Sequence, residues 1–512
     1  MLRKHRIDPS IIFNNNTQEG EFKDTVVKGS LATGLSQGIA MGFTIISAVV
    51  LARLLTPDDF GLIGMVTVVI NFLFIFKDIG LSDATIQKDE ITRSQISTLF
   101  WINTLISLVL GLILAASGPL VARFYDRSEL SPIMAVLAFT FVVEGLTIQH
   151  TALLRRHLRF TAVAIADILS RFSYLVTAII LALSGFSYWS LVGGHIVRSL
   201  VLMTFIFYHC PWMPGRMEKG TGVRKMMMFG GHLTVGHLLA YLARNLDGIL
   251  IGRIYGAAPL GLYNKAYHLL MQPLSQIKLP LTHLALPVLS SLKKEPERYK
   301  NYFKKLLDIS ISLALPVTVY CFLDGEFVIR FVLGPQWLEA SEVFRILAIG
   351  GIFVSASFLP GLALLSHGHS KKYMQLLIAT SIIQSLSFIA GISFGIKGIA
   401  IAYTVSSFLI LIPMVIMSFK GTFVSARMFF VTILWPLLLA VAAGVVLFVL
   451  LHFISSDSTF THLAIAVIYF IFYTGLTLLR KDTRDTLLSI WDSIISKKKN
   501  TEEKDIPEGE DG

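Results

Sequence analysis

Ionisable side chains inside apolar stretches are the residues of this sequence best placed to do chemistry. Glu144, Asp167, Arg171, Arg198, Arg244, Asp247, Lys265, Lys278, Asp308 and Arg345 all stand in windows otherwise dominated by apolar residues. A charge at the centre of a bilayer costs about 2.5–3.5 kcal/mol on insertion scales, so each is expected to face protein or a watery cavity. Cations outnumber anions in this set. A cavity lined by Arg171, Arg198, Arg244, Lys265 and Lys278 would suit an anionic group such as a pyrophosphate. A guanidinium binds phosphate oxygens as a fork, an ammonium as a point charge. Glu144, Asp167, Asp247 and Asp308 are the carboxylates available for coupling to an ion. A plainer reading stands beside this one. Asp167 and Arg171 are spaced i,i+4 and Arg244 and Asp247 i,i+3, so each pair would neutralise itself on one helix face. Lys265, Lys278 and Arg345 would then snorkel to the interface from span ends.

Other chemical signals are weak. His367 and His369 form a His-x-His with no third ligand nearby, which reads as a solvated turn and not as a zinc site. His232 and His237 share an apolar segment at a spacing that puts them on different faces, as core or cavity histidines. Cys210 and Cys321 lie far apart and form neither a disulfide framework nor a metal spacing. Trp101, Trp189 and Trp337 stand near span ends, as in an interfacial aromatic belt. No phosphate-binding Gly-Lys-Ser/Thr loop, nucleophile elbow or metal-binding helix motif occurs. No catalytic residue, metal or cofactor is expected, and the chain does not read as an enzyme.

The elements that must position these charges are membrane spans. The chain has 512 residues, 54% hydrophobic and 15% charged, where a soluble domain averages about 25% charged. Crossing the hydrocarbon takes about 20 apolar residues. Such windows are expected at 30–54, 60–80, 95–121, 130–151, 160–184, 187–209, 226–252, 257–291, 302–323, 338–365, 371–394, 396–418, 427–453 and 461–479. The fold class is therefore all-α: a polytopic membrane protein of about fourteen transmembrane helices. No window is left for a soluble domain, which excludes most enzyme classes that need one. The net charge of +11 is read as basic cytoplasmic loops and not as a nucleic-acid partner. Alternate loops are rich in Lys and Arg, among them Arg155, Arg156, Arg159, Lys293, Lys294 and Arg298, while the opposite loops hold only Arg53, Arg123, Arg127, Arg253, Arg330 and Lys397. That asymmetry puts both termini in the cytoplasm.

The chain also repeats itself. Around Arg53 it reads VVLARLLTPDDFGLIGM and around Arg253 ILIGRIYGAAPLGLYNK; each Arg precedes a Gly-Leu, Gly61-Leu62 and Gly261-Leu262, at the same interval. Two six-helix parallel repeats around a central cavity are expected, followed by two C-terminal helices. The organisation expected is a cytoplasmic tail at 1–29, an N-lobe at 30–209, a cytoplasmic inter-lobe loop at 210–225, a C-lobe at 226–418, two extra spans within 427–479 and a cytoplasmic tail at 480–512.

The stretches VLARLLTPDDFGLIGM and KDIGLSDATIQKDEITRSQISTLFWIN resemble the polysaccharide repeat-unit flippases of the multidrug/oligosaccharidyl-lipid/polysaccharide exporter superfamily, in the branch of colanic acid and teichuronic acid exporters. GLYNKAYHLLMQPLSQIKLPLTHLALPVLSSL and FVLGPQWLEASEVFRILAIGG carry the same resemblance, which covers about residues 25–420. It implies translocation of undecaprenyl-pyrophosphate-linked oligosaccharide from the inner to the outer leaflet of the cytoplasmic membrane by alternating access, with the intramembrane Arg and Lys on the anionic carrier. Lys278 stands in the most family-like helix, whereas a basic residue at Lys265 departs from the family pattern. The partners implied are the lipid-linked oligosaccharide, membrane lipids and polysaccharide polymerase machinery. The alternative is a small-molecule or drug antiporter of the same superfamily, for which the cationic balance is unfavourable.

Overall fold

This computed structural model describes residues 19–77, 82, 85–86, 91–218, 241–454, 458–480 and 484; for residues 19–33, 35 and 280 the backbone alone is described. His232, His237, the start of the 226–252 span, the tail up to residue 18 and the tail beyond residue 484 lie outside the described residues. Among the described residues the chain is helical almost throughout and holds no strand. The helices are α1 (Glu19–Leu54), α2 (Pro57–Phe74), α3 (Arg93–Tyr125), α4 (Leu130–Arg156), α5 (Phe160–Leu183), α6 (Trp189–His209), α7 (Ala257–Ser291), α8 (Pro296–Leu323), α9 (Gly325–Val332), α10 (Ala340–Ser366), α11 (Ser370–Gly391), α12 (Gly395–Phe419), α13 (Ala426–Phe453) and α14 (Thr459–Leu479). Residues 241–255 are helical as well.

Helix starts follow from local chemistry. Thr56 caps α2 in a reciprocal box: its hydroxyl accepts from the Asp59 amide at 3.3 Å and the Asp59 carboxylate accepts from the Thr56 amide at 2.9 Å. Pro57 sits in the first turn, where its missing N–H leaves no carbonyl wanting. Thr92 and Gln95 form the same box ahead of α3. Eleven helical stretches among the described residues are long and apolar enough to cross a membrane, and the chain is a multi-pass membrane protein. One of the eleven, Ser370–Phe419, is counted once over its 50 residues but folds as two helices. The 3-10 turn Ile392–Phe394 and Gly395 at φ +77° reverse the chain. Gln384 then donates to Ser406 at 3.2 Å, and Phe388 stacks on Tyr403 with centroids 6.4 Å apart, as an antiparallel hairpin requires. The count of fourteen further needs 226–252 and 257–291; the first begins outside the described residues, and α7 mixes Lys265, Lys278 and four prolines into its apolar sequence.

Contacts divide the chain into two compact units, Met1–Asn264 with Val332–Leu338, and Lys265–Phe331 with Glu339–Gly512. In the first, α3 packs on α4, α5 on α6, α4 on α6 and α1 on α5. In the second, α8 packs on α10, α11 on α12 and α10 on α12. These pairings are the same scheme used twice. Leu130–Arg156 and Ala340–Ser366 are both 27 residues long and offset by 210. Glu129 and Glu339 stand at their N-caps, and His157 and His367 at their C-caps, at that same offset. Leu158 and Gly368, then Gly185 and Gly395, take positive φ at matching places.

Small residues set the close approaches, as expected where lipid supplies no hydrophobic drive between helices. A Cβ on Gly61 would land on the Ala257 carbonyl oxygen, and one on Gly261 on the Pro57 carbonyl oxygen. The repeat element seen in sequence thus packs against its own copy, reciprocally, within the first unit. Trp337 departs from the interfacial position expected for it. It is fully buried, donates from Nε1 to the Ala52 carbonyl at 2.7 Å and meets Phe60 edge-on at 5.6 Å. Gln336 donates to the same carbonyl at 2.7 Å, so the Gly334–Trp337 segment caps the end of α1. In the second unit one apolar core runs from Tyr299 and Phe303 on α8 through Leu359 and Val415 to Phe429, Leu447 and Tyr469 on the last two helices.

Candidate functional site

The expected charges gather chiefly in the first unit, around Asp167. One turn along α5, Arg171 donates from Nε to Asp167 Oδ2 at 2.9 Å, as their i,i+4 spacing allows. Its Nη1 reaches across to Thr44 Oγ1 on α1 at 3.2 Å. From α6, Arg198 brings Nη2 to 3.9 Å from Asp167 Oδ1. That is attraction without a hydrogen bond. Two guanidiniums therefore converge on one carboxylate from two helices. All three side chains keep about a third of their surface exposed, with 33% for Arg171, 37% for Asp167 and 35% for Arg198. The group opens onto a space and is not sealed in the helix packing.

A second pair extends this network. Lys77, in the turn after α2, forms an ion pair with Glu144 on α4. Its ammonium lies 4.7 Å from the centre of the Phe74 ring, which stacks on Phe141 at 4.7 Å. The charges of Glu144, Asp167 and Arg171 all act on Arg198. Lys77, Arg171 and Arg198 against Glu144 and Asp167 thus leave a surplus of positive charge in this network. Lys77, absent from the intramembrane charges picked out in the sequence, joins this network at 12% exposure. The signal was present. Lys77 falls inside the expected 60–80 span, and Glu144 has no cation at helical spacing, so its partner had to come from another helix.

The remaining candidates have other surroundings. Asp247 accepts from the Tyr263 hydroxyl at 2.9 Å and from the Gly248 amide at 2.8 Å, all in the first unit. Arg244 is an exposed side chain of the same helical stretch. Lys265 and Lys278 belong to the second unit. Lys265 is half-buried on α7, and Lys278 lies over the Phe358 ring of α10 at 5.5 Å. Asp308 on α8 is buried and paired with Arg480 at 2.8 Å. Arg345 donates to the Phe322 carbonyl at 2.8 Å and lies over the Phe322 ring at 5.6 Å, dressing the end of α8 as a span-end residue would. His367 Nδ1 is 2.9 Å from the Ala363 carbonyl in a helix C-cap, and no group of three metal-ligating residues occurs among the described residues.

Away from the spans, a cavity of about 380 Å³ is lined by Thr56, Asp58, Asp59, Arg127, Glu129 and Ser187 among others. Arg127 takes Asp58 in a fork, at 3.0 and 2.6 Å, and these bonds raise the guanidinium above its ordinary pKa. Glu129 stands 3.3 Å from Arg127; its own backbone N–H foremost, then Arg127, hold it below the usual carboxylate range against the opposing effect of burial. Asp59 accepts from Ser187. These pairs fasten the start of α2 to the turns after α3 and α5.

Comparison with known proteins agrees with this architecture. The family described as polysaccharide biosynthesis protein matches residues 50–342, more than half of the 512 residues. The teichuronic acid biosynthesis protein TuaB of Bacillus subtilis is 28% identical over 383 residues, covering 74% of this chain and 79% of that protein. The lipopolysaccharide biosynthesis protein WzxC of Escherichia coli is 23% identical over 444 residues, covering 83% of this chain and 89% of that one. Among solved structures, the inward closed conformation of the lipid II flippase MurJ has the same fold, with a TM-score of 0.71 at 12% identity over 88% of this chain and 98% of that one. By the match of its sequence, the chain belongs to the polysaccharide biosynthesis protein family.

Proposed function

We propose that this protein is a flippase that moves oligosaccharide repeat units, linked to undecaprenyl pyrophosphate, across the cytoplasmic membrane by alternating access for surface polysaccharide biosynthesis. The observation that carries the reading is the partly exposed Asp167–Arg171–Arg198 group inside the spans. An anionic carrier needs fixed cations in a place lipid cannot fill. Arg171 and Arg198 supply forked donors there, and Arg244, Lys265 and Lys278 are proposed to share the pyrophosphate along its path. Glu144, Asp167, Asp247 and Asp308 are the proposed ion-coupling carboxylates, and Asp167 stands against both Arg171 and Arg198. The relatives named for teichuronic acid and lipopolysaccharide biosynthesis, and the fold neighbour named a lipid II flippase, support this reading. Both termini are assigned to the cytoplasm, the lobes to 30–209 and 226–418, and polysaccharide polymerase machinery to the partner side. The chain carries its cargo without making or breaking a bond in it.

Deleting the gene and profiling lipid-linked intermediates by mass spectrometry tests the function. The expected result is accumulation of undecaprenyl-linked oligosaccharide with loss of surface polymer, both restored by the intact chain. Unchanged intermediates and intact polymer, in a strain with no second flippase, would point instead to small-molecule antiport.

A further inference from the structure

The last helix meets α8 along its whole length through side chains that all find partners on α8 or just beyond its end. His462 Nδ1 lies 3.0 Å from Asp324 Oδ2. Tyr469 donates to the Pro316 carbonyl at 3.1 Å, and Tyr473 donates to the Ser312 carbonyl at 3.0 Å. Arg480 donates to Asp308 at 2.8 Å. As numbers rise along α14 they fall along α8, so these contacts are the rungs of one antiparallel seam. All of these residues belong to the second unit.

One rung has a specific reason. Pro316 stands inside α8 and has no N–H. The carbonyl four residues earlier, which that N–H would have served, belongs to Ser312. In a bilayer no water is at hand to serve it. The Tyr473 hydroxyl donates to that orphaned oxygen. The neighbouring Tyr469 rung differs, because the Pro316 carbonyl still has its own helical donor four residues on, in Tyr320. Tyr469 and Tyr473 are nearly fully buried, and they sit in the same core as Leu315, Ile311 and Tyr320 of α8.

We infer that α14 is a splint for the proline break in α8, with Tyr473 as the positioning residue that replaces the donor Pro316 removes. α14 is then part of the transport machinery, keeping a proline-interrupted helix satisfied in the membrane. The Asp308–Arg480 pair closes the seam at one end and Asp324–His462 closes it at the other.

The test is a double-mutant cycle on the full-length chain, read in two ways: thermal unfolding of the purified protein in detergent, and restoration of surface polymer in the deletion strain. Tyr473→Phe removes the donor and keeps the ring, and is expected to lower the melting temperature by about 2 °C and to reduce export several-fold. Pro316→Ala returns an N–H to the Ser312 carbonyl. In that background Tyr473→Phe is expected to cost no further stability. Tyr469→Phe is the control, and its smaller effect is expected to be the same in both backgrounds. Export by Pro316→Ala is expected to match the parent, and Tyr473→Phe in that background is expected to reduce it no further. An equal melting loss for Tyr473→Phe in both backgrounds would overturn the splint. A several-fold loss of export from Tyr473→Phe in the Pro316→Ala background as well would overturn the positioning role. The melting arm is independent of the cargo, whereas the export arm rests on the flippase reading, so failure of one is distinguishable from failure of the other.

Discussion

Asp167 holds two guanidiniums that contact it differently. Arg171 is hydrogen-bonded to it at 2.9 Å, while Arg198 stands off at 3.9 Å. A partly exposed ion pair adds about 0–1 kcal/mol to stability, so this arrangement is poorly explained as a brace. On the proposed function, the carboxylate keeps two cations poised until the anionic carrier takes its place. A hydrogen bond to a charged group is worth about 1.5–3 kcal/mol. Arg198→Ala is therefore expected to raise the half-saturating concentration of lipid-linked substrate at least about tenfold in flipping assays on reconstituted vesicles. Arg198→Lys should recover only part of this, since the ammonium lacks the fork. Unaltered half-saturation in both variants would remove Arg198 from the binding site. The Asp167–Arg171 contact was legible in sequence because both residues lie on one helix face. Arg198 was legible only as a charge out of place. Its approach to Asp167, like that of Lys77 to Glu144 across 67 residues, depends on how separate helices pack, and no spacing rule encodes that.

At the scale of elements, the reciprocal crossing of α2 and α7 is the tightest joint described. Gly61 and Gly261 each take a position where a single added carbon meets backbone, which cannot swing aside as a side chain can. Gly61→Ala and Gly261→Ala are expected to destabilise the chain by about 1–3 kcal/mol each. The double variant should cost less than their sum, because both relieve the same joint. Gly38→Ala, on α1 with nothing within 4 Å of the added carbon, should be neutral or stabilising by up to about 1 kcal/mol. Thermal unfolding in detergent separates these outcomes, and a Gly61→Ala chain as stable as the Gly38→Ala chain would contradict the crossing. Sequence revealed this joint as a repeated Arg and Gly-Leu but not as a contact of the repeat with itself. The later helices recur at an offset of 210, not the 200 of that motif, and so went unmatched. Trp337 was misplaced for a related reason. A tryptophan at a span end usually faces headgroups, and only the fold brings the Ala52 carbonyl to it. Asp308 likewise finds Arg480 172 residues away.

At the scale of the whole molecule, the alternation of basic and non-basic loops is a statement about orientation. Each Lys or Arg held on the cytoplasmic side opposes translocation of its loop. On the expected spans, five crossings separate the turn at 126–129 from the loop before α8, so the two are expected to face opposite sides. Both native cysteines, Cys210 and Cys321, are buried, so the chain offers a low background for a membrane-impermeant maleimide. Ser128→Cys lies at an exposed position of the first turn, and Arg298→Cys at a side chain 72% exposed near the start of α8. In right-side-out vesicles Ser128→Cys is expected to be labelled at once. Arg298→Cys should be labelled only after the vesicles are opened. The reverse pattern would invert the protein in the membrane and reverse the direction of transport assigned to it. Labelling of both from the same side would mean an even number of crossings between residues 128 and 298, and the twofold scheme of α3 to α6 and α8 to α12 would then have to run antiparallel and not parallel.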